Sequence, residues 1–222
     1  MNRRGSDDSD IGRALRRGDP AGAGASAAAR RQAGEDAAAV AARLSERLAA
    51  EGLADVSYAR VDSPLGPLTV AGTRRGLVRV AFAEETLVLE RIAERLSPRI
   101  VEAPARLDPV RRELDEYFAG ARRDFATPLD WSLIEGFSRR VLRATAAIPY
   151  GGVRSYGEVA GAAGSPRGSR AAGNALGSNP IPIVIPCHRV LRSGGVLGGY
   201  AGGPERKRRL LELEGALQAV RA

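Results

Sequence analysis

The spacing of apolar residues divides the chain into three kinds of segment: one with few large apolar side chains, one of short strands and one of glycine-punctuated helices. Residues 1–34 consist mainly of Gly, Ala, Asp, Ser and Arg. They cannot bury enough apolar surface to order themselves, so we expect a disordered N-terminal extension. In residues 35–54 apolar side chains recur at helical spacing and stop at Gly52. This pattern predicts an amphipathic helix of unknown role.

Residues 55–130 change to the period of two that is typical of half-buried strands. The predicted strands, separated by Pro- and Gly-containing turns, are Val56–Val61, Leu68–Ala71 and Leu77–Phe82. Such spacing favours an antiparallel meander. Two helices are expected to follow, Glu85–Leu96 and Pro109–Phe118, the second with Asp108 as its N-cap. The segment is therefore predicted to be a small α+β domain.

Residues 131–222 are mostly helical in pattern and interrupted by glycines. The predicted helices are Ile134–Ala147, 155–163 and Ser169–Leu176. Ser155 and Glu158 have the spacing of a capping box, which marks the start of the second of these helices. Because that helix and the next are short and joined by a Gly/Pro turn, they predict a helix-turn-helix unit.

The second helix of this unit has a nearly bare surface. Small residues at 171, 172, 173 and 175 leave Arg170 as its one long side chain. A smooth helix can approach a DNA groove closely, and an arginine at its start can reach inside. Close packing between helices is the alternative explanation for the small residues.

The net charge differs between the two parts of the chain. Residues 1–131 carry 21 basic and 21 acidic side chains, whereas residues 132–222 carry 13 and 5, which supplies the whole net charge of +8. A basic excess confined to one domain indicates a phosphate-binding surface. An arginine-rich composition alone is the alternative, but it would not leave the first part neutral.

The only cysteine, Cys187, directly precedes the only histidine, His188. The apolar run Ile183–Ile185 before them predicts a short buried strand, stiffened by Pro182 and Pro186. A thiolate is a strong nucleophile and an imidazole is a suitable base, so the pair indicates a positioned nucleophile. In an extended strand the two side chains would point to opposite faces and would not touch. A buried structural cysteine is the alternative.

The sequence also limits other functions. A single cysteine excludes an internal disulfide and a cysteine-rich zinc site, and one histidine leaves few metal ligands, so no metal is expected. The first 20 residues lack the apolar segment of a signal peptide, and no apolar run is long enough to span a membrane. We therefore expect a cytoplasmic protein with no membrane association.

An ordered set of motifs resembles the O6-alkylguanine-DNA alkyltransferases, the methylated-DNA–protein-cysteine methyltransferases. The resemblance covers roughly residues 56–215. Its motifs are Ile148-Pro-Tyr-Gly151, Ser155-Tyr-Gly-Glu-Val-Ala160, Arg170-Ala-Ala-Gly173, Asn179-Pro180, Pro186-Cys-His-Arg-Val190, Gly199-Tyr-Ala-Gly-Gly203 and Leu210-Leu-Glu-Leu-Glu-Gly215. It implies an α+β fold: an N-terminal ribonuclease-H-like α/β domain with a small antiparallel sheet, then a mostly helical, winged-helix-like helix-turn-helix domain. The corresponding domains are residues 55–130 and 131–222.

The resemblance implies four catalytic residues. Cys187 would accept the alkyl group, His188 would act as its base through a bridging water, and Glu214 would orient the imidazole. Tyr156 would crowd the DNA phosphate, aid rotation of the nucleotide and donate a proton to the leaving guanine. For Glu214 the alternative is a solvated residue on the C-terminal helix, and for Tyr156 a half-buried tyrosine without a role.

It also implies residues that hold DNA and the base. Arg170 would insert where the flipped base was. The expected DNA-binding residues are Arg170, Ala171, Gly173, Asn174 and Ser155. The expected residues of the substrate pocket are Tyr200, Val190, Pro182, Asn179 and Ala201. Asn179 would tie the recognition helix to the cysteine strand, and the carbonyls of Cys187 and Val190 would accept from the guanine amine.

The function implied is transfer of an alkyl group from O6 of guanine to Cys187 in one irreversible turnover, and the sequence leaves open whether O4 of thymine is a second donor. The expected partner is double-stranded DNA carrying O6-alkylguanine, bound by a monomer. No nucleotide-binding glycine loop follows a strand, so no cofactor is expected. Three alternatives are a non-catalytic alkyltransferase-like damage-binding protein, a cysteine hydrolase and a DNA-binding regulator. Alkyltransferase-like proteins lack the cysteine that this chain has. A cysteine hydrolase needs an oxyanion hole, which nothing in the sequence identifies, and a regulator would have no use for the Cys-His pair.

Overall fold

The computed structural model describes residues 20–220, with side-chain surroundings from residue 27 onward. The chain separates into two units, residues 1–44 and 45–222. Helix α1 (Pro20–Ala50) makes up the described part of the first unit and continues into the second. Residues 20–34 of the predicted disordered extension belong to this helix, so the expectation of disorder is not met there; the run is rich in alanine, which has a high helix propensity. Residues 1–19 lie outside the described residues.

The predicted amphipathic character of this helix is only partly realised. Val40 and Leu44 are 59% and 57% exposed, and residues 28–44 are exposed throughout. Burial begins near the end of the helix, where Ala49 packs within the second unit. The helix ends at Ala50, and Gly52 follows with a φ of 73°.

A mixed four-stranded sheet forms the first part of the second unit. Its strands are β1 (Val56–Val61), β2 (Leu68–Thr73), β3 (Gly76–Ala81) and β4 (Ile100–Glu102). The strand order is β3-β2-β1-β4, with β1, β2 and β3 antiparallel as expected. The fourth strand, which the sequence pattern did not predict, pairs parallel with β1. Three residues are too few to display a period.

Two helices accompany the sheet, α2 (Glu85–Arg95) and α3 (Asp108–Phe118). Helix α2 buries Val88 and Ile92 at i, i+4 spacing. The predicted N-cap of α3 is wrong: Leu107 is the cap residue and Asp108 has helical dihedrals. A 3₁₀ turn runs directly into the helix, so the Asp108 carboxylate accepts from Arg111 instead of from a first-turn amide.

The C-terminal part contains the predicted helix-turn-helix. The helices of this part are α4 (Gly136–Ala146), α5 (Tyr156–Ala162), α6 (Ser169–Gly177) and α7 (Pro204–Leu213). Helices α5 and α6 form the helix-turn-helix. The short strands β5 (Arg154–Ser155) and β6 (Val190–Leu191) pair in parallel. The capping box forms as expected, with Ser155 accepting from the Glu158 amide while the Glu158 carboxylate accepts from the Ser155 amide.

The segment before the cysteine is not a strand. Ile183 lies in the left-handed region with a φ of 75°, and Cys187–Arg189 forms a 3₁₀ turn. Pro182 and Pro186 remove the amide donors that a strand ladder would need, so the apolar run folds into a turn instead. A β-branched residue is rarely found at such a φ, and complete burial of Ile183 holds it there.

One hydrophobic core extends through both parts of the second unit. It joins side chains of the sheet and α3 with those of α4, α5 and α6, and it includes Cys187. Helix α6 packs against α4 and α5. The sheet domain therefore supports the helix-turn-helix directly, and the cysteine lies in the packing that connects them.

Candidate active site

Cys187 begins the 3₁₀ turn and is almost fully buried, with 4% of its surface exposed. The side-chain amide of Asn179 donates to the Cys187 sulfur at 3.2 Å and to the Ile185 carbonyl at 2.9 Å. Asn179 follows α6 by two residues, so these bonds join the helix end to the cysteine turn. Burial raises the pKa of Cys187 to about 11, although the Asn179 hydrogen bond and the Lys207 charge favour the thiolate. The resting sulfur is therefore a thiol at neutral pH.

His188 is fully buried, and its Nε2 lies 2.9 Å from Oε1 of Glu214. Burial lowers the pKa of His188 despite the opposing effect of Glu214, so the ring is neutral near pH 7. An ionised carboxylate only accepts, which assigns the ring proton to Nε2 and a free lone pair to Nδ1. Nδ1 is buried and has no hydrogen-bond partner in the described part of the chain.

Within residues 20–220 no hydrogen bond joins the Cys187 and His188 side chains. The sequence predicts this separation from strand geometry. The residues lie in a 3₁₀ turn, so the outcome agrees with the prediction but its reason was wrong.

Glu214 is the centre of a buried hydrogen-bond network. Its side chain has no exposed surface, which rules out the solvated alternative. It accepts from the Tyr117 hydroxyl at 2.7 Å, from His188, and from Nε and Nη2 of Arg189, both at 2.8 Å. Burial by itself would raise the pKa of Glu214, but the bonds from His188 and Arg189 outweigh it and lower the pKa to about 2. The carboxylate stays ionised, with its charge balanced mainly by Arg189.

Tyr117 and Arg189 are members of this network that sequence reasoning missed. Tyr117 lies on the buried stripe of α3 with Val110 and Leu114, a pattern that indicates only a core tyrosine. Its hydroxyl partner is 97 residues away, which no local pattern can show. Arg189 belongs to the Pro-Cys-His-Arg motif, and this was the only available signal for it.

Sequence reasoning also missed Lys207, a fully buried lysine whose charge acts on Cys187. Its Nζ donates to the Val190 carbonyl at 2.6 Å. Burial lowers the pKa of Lys207 to about 8, and a Cys187 thiolate opposes that shift. The lysine thus retains most of its charge near pH 7 and favours ionisation of the sulfur. A sequence signal exists: positions 207, 210, 211 and 214 share one helical face.

An opening of about 750 Å³ lies beside α6. Six of the predicted site residues line it: Tyr156, Arg170, Gly173, Asn174, Tyr200 and Ala201. Arg170, Ala171 and Asn174 are exposed along the outer face of α6, whereas Ala172 and Ala175 are buried. Helix packing therefore explains the inner small residues, and the outer face is left smooth.

Eight predicted site residues do not line it. Cys187, His188, Val190 and Glu214 are buried, Asn179 and Pro182 line a neighbouring cleft, Ala171 is exposed on α6, and Ser155 caps α5. The Val190 carbonyl already accepts from Lys207, and the Cys187 carbonyl accepts from the Val190 amide. Each carbonyl oxygen has a second lone pair for a further donor.

Two tyrosines define the inner wall of the opening. A Cβ on Gly198 would lie 2.3 Å from the Tyr156 hydroxyl, so the absence of a side chain there makes room for the ring. The Tyr200 ring meets Phe82 edge-on at 6.2 Å between centroids and His188 at 6.4 Å. Burial raises the pKa of both tyrosines, and a Cys187 thiolate adds to each rise. The sulfur thus lies within electrostatic range of both.

Within the described residues, no group of three or more His, Cys, Asp and Glu side chains is arranged to hold a metal ion. No helix in the same part of the chain has both the length and the apolar character needed to cross a membrane.

We expect the reaction of Cys187 with iodoacetamide to be slow at neutral pH and to accelerate up to about pH 11. Only the thiolate is alkylated, and burial holds the pKa of this thiol at about 11. Between pH 7 and pH 10 the rate should rise about tenfold per unit, as followed by mass spectrometry of the intact protein. A rate that levels off near pH 8.5, as for an exposed cysteine, would contradict the assigned environment. Urea-unfolded protein is the control for that exposed behaviour.

Two family models match the chain. The model of the 6-O-methylguanine DNA methyltransferase ribonuclease-like domain matches residues 56–131. The model of the 6-O-methylguanine DNA methyltransferase DNA binding domain matches residues 136–216.

Curated relatives and solved structures are also similar to this chain. A methylated-DNA–protein-cysteine methyltransferase of Mycobacterium tuberculosis is 42% identical over 159 residues, which span 72% of this chain and 92% of the relative. One from Methanosarcina acetivorans is 40% identical, spanning 72% of this chain and 98% of the relative. The crystal structure of Mycobacterium tuberculosis O6-methylguanine methyltransferase is similar with a TM-score of 0.63 at 41% identity, covering 75% of this chain and 96% of that one. A structure of the Mycobacterium tuberculosis protein in complex with DNA has a TM-score of 0.62 with the same coverage.

Proposed function

Because this chain belongs to the methylated-DNA–protein-cysteine methyltransferase family, we propose that it repairs double-stranded DNA by moving the methyl group from O6 of guanine to Cys187. The chain is a DNA-binding methyltransferase whose acceptor is a cysteine of the protein itself. The finer assignments, to O6-alkylguanine, to single turnover and to individual residues, are proposals supported by the geometry of the site.

The transfer is a displacement at the methyl carbon. The Cys187 thiolate donates an electron pair to that carbon, a carbon–sulfur bond forms, and the carbon–O6 bond breaks with its electron pair moving to the guanine. The purine then takes up one proton, which Tyr156 supplies and recovers from solvent. The product is a thioether, which has no hydrolysable bond. The chain has no second cysteine to remove the group, so each molecule reacts once.

The buried network supplies the base for this step. Glu214 fixes the tautomer of His188 so that Nδ1 accepts the thiol proton through a water, and the proton later returns to solvent. Arg189 balances the charge of Glu214, which keeps the imidazole neutral and able to accept. Lys207 favours the thiolate as it forms. A sulfur with a high resting pKa is therefore activated only when the relay is complete.

The opening beside α6 suits a base rotated out of the duplex. Extrusion costs a few kcal/mol, and the cost is lowest where pairing is already weakened, as at an O6-alkylated guanine. Tyr200 offers an apolar ring with an unpartnered buried hydroxyl, in the described part of the chain, facing the same region. We place the purine against this ring and the Val190 carbonyl.

One observation carries this proposal: the chain's only cysteine is buried next to a histidine held by a buried, charge-balanced glutamate, and its charge as a thiolate acts on Tyr156 and Tyr200, which line the opening at α6. A structural cysteine needs no such relay.

The proposal is tested by titrating the protein with duplex DNA that carries a radiolabelled O6-methyl group. We expect label to appear on denatured protein and to saturate at one methyl group per chain. Saturation well above one, or label that is lost on denaturation, would contradict single-turnover covalent transfer. Duplex labelled at O4 of thymine measures whether the same sulfur accepts from that base, for which we expect slower transfer.

Replacing Arg170 with alanine should slow repair of methylated duplex at least tenfold while leaving the reaction with free O6-benzylguanine unchanged. Arg170 is exposed at the start of α6 and fills the space of the extruded base, a role that only duplex DNA requires. Arg167→Ala is the matched control, because Arg167 is also exposed and lies in the preceding turn. Second-order rate constants with both substrates measure the difference. Equal slowing with both substrates would refute this role for Arg170.

A further inference from the structure

Three arginines line a cleft between the sheet domain and the helix-turn-helix. Arg79 is on β3, and Arg91 and Arg95 are on α2. The cleft has a volume of about 490 Å³, and its other wall is formed by the end of α6 and the turn at Pro182. No Asp or Glu is among its lining residues. We call it the arginine cleft.

These arginines are poorly satisfied by the protein itself. In the described part of the chain none of the three forms an ion pair within 4.0 Å, and only Arg95 donates a side-chain hydrogen bond, to the Leu133 carbonyl at 3.1 Å. The Nε of Arg79 is buried without a partner. A buried guanidinium donor without an acceptor is destabilising.

The like charges add to this cost. Burial lowers the pKa of Arg79, and the nearby charges of Arg91 and Arg95 lower it further. Arg91 and Arg95 are exposed, whereas Arg79 is partly buried with an unpartnered Nε and no anion beside it, which is the arrangement expected where an anionic ligand supplies the missing charge.

The negative end of the α6 dipole offers a second explanation, because cations near a helix C-terminus are stabilised. It accounts for the cluster only weakly. In the described part of the chain neither Arg79 nor Arg91 donates a hydrogen bond to a carbonyl of α6. The dipole thus leaves the Arg79 donor unsatisfied.

The arginine cleft continues the surface that we assign to DNA. Gly177 and Ala201 line both the cleft and the opening beside α6. Asn179, which bonds the Cys187 sulfur, also lines the cleft. The cleft therefore adjoins the opening, within reach of the backbone next to a nucleotide that enters it.

We propose that the arginine cleft binds a backbone phosphate of the DNA strand next to the extruded nucleotide. The inference rests on the proposed function and adds a contact from the sheet domain. Arginine guanidiniums match the geometry of phosphate oxygens, and each neutralised phosphate releases counterions. In this arrangement the sheet domain binds a phosphate of the damaged strand while the helix-turn-helix binds the duplex.

The first test compares the salt dependence of binding to unmodified duplex for wild-type protein, Arg91→Gln and Arg79→Gln. Arg112→Gln is the control, because Arg112 is also an exposed helix arginine but lies outside the cleft. In both cleft variants the negative slope of the log association constant against log salt concentration should become shallower by about 1. Affinity should fall about eightfold at 0.1 M salt. The slope of Arg112→Gln should not change. Arg91→Gln alters an exposed side chain and keeps the test valid if Arg79→Gln folds poorly.

The second test measures transfer from O6-methylguanine duplexes that each carry one neutral methylphosphonate linkage. Wild-type protein should slow at one linkage close to the lesion, and Arg91→Gln should not slow further at that linkage. Reaction with free O6-benzylguanine should be the same in both proteins. Absence of transfer in the wild type would end the proposed function, whereas the salt slopes would still report on the cleft.

Two results would overturn the inference. One is equal salt slopes for Arg91→Gln, Arg79→Gln and Arg112→Gln. The other is a rise in melting temperature with inorganic phosphate that Arg91→Gln abolishes, together with unchanged salt slopes for DNA, which would assign the cleft to a free anion.

Discussion

Replacement of Cys187 with alanine is expected to abolish methyl transfer from O6-methylguanine while leaving binding to the modified duplex intact. The sulfur is the atom that forms the new bond, and the chain contains no other cysteine to substitute for it. In the proposed complex the duplex contacts the outer face of α6 and the opening beside it, and Cys187 is not among the residues that line that opening. Label transfer and fluorescence anisotropy with the same duplex measure the two properties separately.

Each outcome of this experiment distinguishes between interpretations. Residual transfer would end the assignment of Cys187 as the acceptor. Loss of both transfer and binding, with a large fall in stability, would support the structural cysteine. Wild-type protein that binds damaged duplex without transfer would be the non-catalytic damage-binding protein.

Replacement of Glu214 with glutamine is expected to lower the free energy of unfolding by about 3–5 kcal/mol. The substitution leaves the Arg189 guanidinium, which is 6% exposed, without its anionic partner in the protein interior. Breaking a buried ion pair from one side leaves an uncompensated charge, and this accounts for the size of the effect. Urea unfolding monitored by tryptophan fluorescence measures it.

Tyr117→Phe is the matched control, because it removes one hydrogen bond to the same carboxylate and no charge. We expect it to cost about 1.5–3 kcal/mol. If Glu214→Gln is no more destabilising than Tyr117→Phe, the charge balance between Glu214 and Arg189 is not what stabilises this network.

The same substitution should alter the response to acid. The pKa of Glu214 is lowered to about 2 in the folded protein, from about 4.5 when unfolded. A lowered carboxyl pKa contributes stability that is complete above pH 4.5 and is lost as pH falls from 4.5 towards 2. Wild-type protein should lose about 3 kcal/mol more stability across this window than Glu214→Gln.

Replacement of Glu214 with glutamine should also slow methyl transfer. Glutamine can donate as well as accept, so it no longer restricts the His188 proton to Nε2. Transfer should therefore slow even at temperatures where the variant is folded, and the rate should recover in part at higher pH, where more of the thiol is ionised.

Features set by local spacing were predictable from the sequence. The strands β1, β2 and β3 follow from alternation, and the capping box at Ser155 follows from its spacing to Glu158. The helix-turn-helix was also within reach, because short amphipathic helices and the turn between them are local patterns.

Features set by tertiary contacts were not predictable from the sequence. The Ile183–Ile185 run has the composition of a strand, but the flanking prolines and complete burial fold it into a turn. Residues 20–34 were expected to be disordered because they have little apolar surface to bury, whereas the structure continues the helix of residues 35–50 through this alanine-rich run.

The candidate site shows the same division. The Cys-His pair and Arg170 are marked by residue type and position, and the resemblance supplied Glu214. The partners that hold Glu214 come from α3 and from the cysteine turn, and the hydroxyl of Tyr117 lies too far along the chain for any periodic signal. Lys207 was the one overlooked residue with a local sign, because it shares the buried face of α7 with Leu210 and Leu211.

The most direct test of the central claim is peptide mass spectrometry after incubation with duplex DNA containing O6-methylguanine. The account predicts a gain of one methylene mass on the peptide that contains Cys187, with fragment ions placing the added group on that residue. An unmodified Cys187 peptide after the DNA has been demethylated, or the added mass on another residue, would contradict it.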